Sequence, residues 1–200
     1  KDEGLLHRMF AHKKAASSKN FMLRVQDVSA VLDQLENLNQ KSDFPISGKL
    51  DLSRVGMSGH SFGALTTQAV SGEKIPLSQS LTERRIMAAM PLSPGSRKMI
   101  SPDESFGEVS IPWLLMTGTH DLALIGGQTI DSRLAVFPAL PNGNHYEVVL
   151  HKAEHSVFND KAFLRDKLPR NPNHHRVILG LSTAFWDAYL RNDAEARSWL

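Results

Sequence analysis

The sequence predicts an α/β fold, a mostly parallel sheet with helices on both faces. Two observations predict it. Short, continuously apolar segments of strand length recur at 50–58, 85–92, 111–117 and 146–151. Segments of helix length precede, separate and follow them. Strands that are apolar throughout, rather than alternating, belong to a sheet buried on both faces, which is how parallel sheets are built.

The elements follow in order. Residues 1–19 show little periodicity and read as a loop or one short helix. From 21 to 38 the apolar positions are Phe21, Met22, Val25, Val28, Val31, Leu32, Leu35 and Leu38. That i, i+3/i+4 spacing predicts an amphipathic helix. A first strand over 50–58 carries Val55 and Met57, and a helix over 64–70 stops near Gly72. A second strand, 85–92, is ended by Pro91 and Pro94-Gly95. The stretch 93–112 reads as a loop. A third strand, 111–117, contains Trp113 and Leu114. Asn142-Gly143 is a turn signal and precedes a fourth strand, 146–151. The last helix spans about 174–190, with Ile178, Leu181, Phe185 and Tyr189 on one stripe.

Composition narrows the function. Two hundred residues, 41% hydrophobic and 22% charged, suit a single globular domain of ordinary make-up. No apolar run approaches the roughly 18 residues of a membrane span. A net charge of +2 with scattered basic residues predicts no nucleic-acid partner. Cysteine is absent, which excludes disulfides, a thiolate nucleophile and Cys-ligated metal. No HExxH-type spacing is present, and no phosphate-binding glycine pattern follows a strand, so neither metal nor cofactor is expected.

One motif carries chemistry. Gly59-His60-Ser61-Phe62-Gly63 fits G-x-S-x-G. Five residues alone are a weak signal, but this match lies between a buried strand and the small-residue helix start Ala64-Leu65-Thr66, where a nucleophile elbow belongs. Side chains two positions either side of such a turn would clash, and glycines at 59 and 63 remove them. The turn lifts Ser61 Oγ above the carboxyl end of a strand, where ligands bind in α/β folds. The helix start behind it offers the Phe62 N–H as an oxyanion donor.

A serine hydroxyl needs a base, and the elbow predicts the chain order serine, acid, histidine, each at the end of a later strand. The third strand runs into Gly118-Thr119-His120-Asp121 and the fourth into Ala153-Glu154-His155. Asp121 and His155 occupy the required positions. His151 lies within its strand and His145 precedes it, so both rank below His155. His60 and His120 flank these residues and either line the site or pack around it.

With these motifs in place, the chain resembles the α/β-hydrolase fold. More narrowly, GHSFG, GTHD, AEHS, VQDVSAVLDQL and STAFWDAYL are similar to bacterial dienelactone-hydrolase-like and platelet-activating-factor-acetylhydrolase-like proteins. The resemblance covers about residues 20–200. It implies Ser61 as nucleophile, Asp121 as acid and His155 as base in a serine esterase acting on a small-molecule ester. Asp103 competes with Asp121, because some relatives place the acid after the preceding strand. Lactone or peptide cleavage, acyl transfer, and a non-catalytic binding module of the same fold stay open as alternatives. Compartment, cytoplasmic or exported, and oligomeric state are not predicted.

The remaining features read as structural. His174-His175 is taken as a solvated helix start, Lys13-Lys14 as a solvated face, and Trp113, Trp186 and Trp199 as core or helix packing. No early strand or HGGG-like segment precedes the elbow, so no second oxyanion donor is identifiable. On that ground the 200 residues are expected to be the C-terminal two-thirds of one hydrolase domain, with N-terminal strands missing.

Overall fold

The computed structural model describes residues 11, 14–76, 80–123, 126–163 and 166–200. Most of the expected N-terminal loop or short helix, and Lys13, lie outside the described residues; Lys14 is exposed. The amphipathic segment forms α1 (Ser18–Gln40), opened by the Ser17 side chain accepting from the Asn20 N–H. Strand β1 (Val55–His60) follows, shorter than the expected 50–58, because 50–54 turns on the Asp51 side chain. Then come α2 (Phe62–Val70) and β2 (Ile86–Leu92).

The expected loop at 93–112 contains a short helix, α3 (Pro102–Phe106). Ser101 and Glu104 close a reciprocal capping box on it, with proline in its first turn. Strand β3 (Trp113–His120), α4 (Ile130–Leu134) and a 3-10 turn (Phe137–Ala139) lead to β4 (His145–Glu154). A second 3-10 turn (His155–Phe158), α5 (Pro172–Leu190) and α6 (Ala194–Trp199) complete the chain.

The sheet has the order β1-β2-β3-β4 and every pair is parallel. Pro91, expected to end its strand, lies inside β2 opposite Gly59. It is tolerated because the β2–β3 ladder is registered at Ala89 and Leu92 and skips the residue without an N–H. Among the described residues β1 is an edge strand.

Helices cover both faces, as expected of the α/β-hydrolase fold. On one face Phe21 and Val25 of α1 pack with Ala69, Val70 and Ile86, while Phe106 and Val136 pack with Ala89, Trp113 and Leu115. On the other, Phe185 of α5 packs against Ala88, Met90, Leu114 and Met116. Of the three tryptophans, Trp113 is fully buried and Trp186 joins the α5 layer, but Trp199 is 64% exposed. Trp199 is therefore not a core residue: the short terminal α6 buries none of its residues, and the ring edge lies beside Gly180 of α5. Among the described residues no helix is long and apolar enough to cross a membrane.

Candidate active site

Parallel strands place their carboxyl ends on one edge of the sheet, so chain segments leaving β1, β3 and β4 converge there. Ser61 is the first residue beyond β1. Its backbone is held at φ 60°, ψ −114°, a left-handed setting that costs a non-glycine residue about 1–3 kcal/mol. The setting is clamped from both sides. The Ser61 N–H donates to the Leu92 carbonyl at 3.0 Å, and the Ser61 carbonyl accepts from Ala64 and Leu65.

The two motif glycines do unequal work. A Cβ on residue 59 would lie 2.4 Å from the Gly63 carbonyl oxygen, whereas a Cβ on Gly63 would meet nothing within 4 Å. The expectation that both positions exclude side chains is therefore correct for Gly59 alone. The Phe62 N–H, at the first turn of α2, has no intrahelical acceptor and makes no recorded hydrogen bond among the described residues.

The turn after β3 shows why Gly-Thr precedes His-Asp. A Cβ on Gly118 would fall 2.1 Å from the Ala153 carbonyl oxygen, so only glycine lets β4 approach this closely. The register of β3 with β4 shifts between Gly118 and His120, and Lys152 takes φ 57°. The Lys152 N–H donates to Thr119 Oγ1 at 2.8 Å. This irregularity sets the β4 exit, and His155 with it, beside Asp121.

Ser61, His155 and Asp121 form one hydrogen-bonded chain. His155 Nε2 is 2.9 Å from Ser61 Oγ, and His155 Nδ1 is 2.5 Å from Asp121 Oδ1. Thr117 Oγ1 donates to Asp121 Oδ2 at 2.9 Å. Asp121 is fully buried and His155 nearly so. Burial by itself would raise the Asp121 carboxyl, but the His155 hydrogen bond and the charge of Arg133 outweigh it and hold the group below the usual carboxylate range.

The other candidates are placed as follows. His60 packs its ring 4.6 Å from that of His155 and 5.3 Å from Phe158. Burial, then repulsion from His155, lowers its pKa to about 4. His120 is exposed, and its ring pairs with Thr119 rather than with Ser61, His155 or Asp121. Asp103 is exposed on α3, His145 starts β4 at the opposite end of the sheet, and His151 is exposed within β4.

Of the expected solvated helix start, His174 is buried but His175 is exposed. Their Nε2 atoms reach the carbonyls of His151 and Val157 at 3.0 and 2.9 Å and tie α5 to the segment around His155. Among the described residues no group of three acidic, histidine or cysteine side chains could hold a metal.

Three supports escaped the sequence reading. Arg133 is buried beside Asp121. Arg170 donates to the carbonyls of Ser156, Asn159 and Asp160, clamping the turn that begins at His155. The Gln68 amide of α2 pairs in both directions with the Gly95 backbone at 3.0 Å, fixing the loop after β2 against that helix. The only local hint of Arg133 is a cation directly followed by Leu134-Ala135-Val136.

A family model described as PET hydrolase-like matches residues 17–165. A search of curated proteins finds no significant sequence match. Among solved structures, one from Klebsiella pneumoniae subsp. pneumoniae MGH 78578, provisionally titled a dienelactone hydrolase, superposes with a TM-score of 0.56 at 15% identity. The match covers 82% of this chain and 60% of that one, so the chain spans less than two-thirds of that structure's length. The likeness carries the fold, and the family model, which matches well over half of the sequence, carries the membership: the chain is an α/β-hydrolase of the PET hydrolase-like family.

Proposed function

We propose that the protein is a serine hydrolase that cleaves carboxylic esters of small molecules through an acyl-enzyme on Ser61, with His155 as base and Asp121 as orienting acid. The observation that carries this reading is the unbroken chain from Ser61 Oγ through both ring nitrogens of His155 to a buried carboxylate. With Nδ1–H donating to Asp121, Nε2 presents its lone pair to the serine hydroxyl. As Oγ attacks the ester carbonyl, its proton passes to Nε2, and Asp121 stabilises the resulting imidazolium. The Phe62 N–H meets the developing oxyanion.

Collapse of the tetrahedral intermediate breaks the ester C–O bond, and the Nε2 proton goes to the departing alkoxide. Water then attacks the acyl-enzyme, losing its proton to His155, and Ser61 Oγ leaves with that proton. Lactones, peptides and alcohol acceptors can use the same groups. The resemblance to esterases and the PET hydrolase-like family favour esters.

Hydrolysis of p-nitrophenyl acetate by the wild type and by Ser61→Ala tests the reading. A loss of about a thousandfold or more is expected. An alanine variant with undiminished activity would refute it.

A further inference from the structure

The machinery just proposed leaves a buried guanidinium without a role. Arg133 on α4 is 2% exposed. Its Nε donates to the Asp121 carbonyl at 2.7 Å, and its Nη1 to the carbonyls of Ser93 and Pro94 at 2.6 and 2.8 Å. Its Nη2 lies 3.2 Å from Asp121 Oδ1 and 3.4 Å from His155 Nδ1. Removing a guanidinium from water is costly unless it is fully paired, so a position that buries one requires a reason. Here a single side chain ties together the loop after β2, the acid turn after β3 and the base after β4.

We propose that Arg133 is a positioning residue for the Ser61 reaction, fixing the turn after β3 to the loop after β2 and holding the Asp121 carboxylate paired and aimed at His155 Nδ1. The proposal rests on the hydrolytic reading of Ser61. Both Asp121 oxygens are occupied, Oδ2 by Thr117 and Oδ1 by His155 and Arg133. A cation at this distance favours the carboxylate that burial would otherwise neutralise.

Other groups around the pair do not substitute for it. His60, whose ring centroid lies 4.6 Å from that of His155, is uncharged above about pH 4. Asp166 and Arg170 engage Ser156, one residue on, and His120 turns to Thr119. Burial draws the Arg133 pKa down and Asp121 opposes this, but a guanidinium starts high enough to stay charged.

The test is steady-state ester hydrolysis and the rate of fluorophosphonate labelling at one fixed pH, with circular dichroism as the fold control, for wild type, Arg133→Met and Arg133→Lys. The methionine variant is expected to lose about tenfold or more in kcat and in labelling rate with KM little changed, because the pair is left unheld. The lysine variant, which keeps a charge but not the planar fork, is expected to recover part of that loss. A methionine variant that reacts at the wild-type rate, or a lysine variant no faster than methionine, overturns the proposal. Should the methionine variant not fold, the lysine variant decides it: a kcat below wild type at unchanged KM is expected, and a wild-type kcat overturns the proposal. A wild type unlabelled at Ser61 overturns the hydrolase reading separately.

Discussion

The ring of His60 lies 4.6 Å from that of His155, inclined by 42°, and 5.3 Å from that of Phe158. A residue that a motif records only as an arbitrary position is thus packed directly on the proposed base. His60 Nε2 is buried without a hydrogen-bond partner, which favours the uncharged ring.

His60 makes stability depend on pH. Its folded pKa of about 4 lies below the ordinary histidine value near 6.5, so between these limits the unfolded chain binds the proton more readily. Stability contributed by the neutral ring is complete above about pH 6.5 and is lost progressively as pH falls toward 4. His60→Phe keeps the packing and removes the titration. Urea unfolding at pH 7.5 and 4.5 should show the wild type losing on the order of 1–2 kcal/mol more than the variant, after allowance for partial exposure. Parallel losses in the two proteins would rule the effect out.

The glycines separate by contact. Gly59→Ala and Gly118→Ala drive a methyl into the backbone carbonyls of Gly63 and Ala153. Each should lower stability by about 3 kcal/mol or more. Gly63→Ala, in open space within α2, should be neutral or stabilising by up to about 1 kcal/mol. Thermal unfolding of the three variants checks the order, and a Gly63 variant as damaged as Gly59 would contradict it.

Arg170 holds the His155 turn through three carbonyls while its own side chain stays away from Ser61. Arg170→Ala should leave the protein folded and lower kcat about tenfold or more with little change in KM, because small misplacements of a catalytic group are costly. Steady-state ester hydrolysis with circular dichroism as the fold control measures this. An unchanged kcat would show that the turn holds itself.

Aromatic side chains divide by burial. Phe185 is fully buried against both central strands, and Phe185→Ala should cost about 3–5 kcal/mol. Trp199 is mostly exposed, and Trp199→Ala should fall within about 0.5 kcal/mol of wild type. Chemical denaturation of both decides between this reading and a shared packing role.

What could be read in the chain was what local rules determine. The apolar runs became the four parallel strands, and the elbow, with Ser61 between a strand and a helix, needs only its neighbours to be recognised. Asp121 and His155 were legible because both stand at strand ends. The supports were not, because they depend on register. Arg133 meets Asp121 only through the way α4 folds back over the end of β3, and Gly118 matters only because β4 passes 2.1 Å from its would-be methyl. The Ser101–Glu104 capping box was present in the sequence, yet 93–112 read as a loop since its helix is only five residues long. Pro91 as a strand end followed a sound rule that a ladder skipping that residue evades.

The central claim is that Ser61 is the nucleophile and His155 activates it. Incubation with a fluorophosphonate, followed by peptide mass mapping, tests it most directly. A single adduct on Ser61 is expected in the wild type and none in Ser61→Ala or His155→Ala. An adduct on another residue, or an unmodified Ser61 in a protein that still hydrolyses esters, would contradict it.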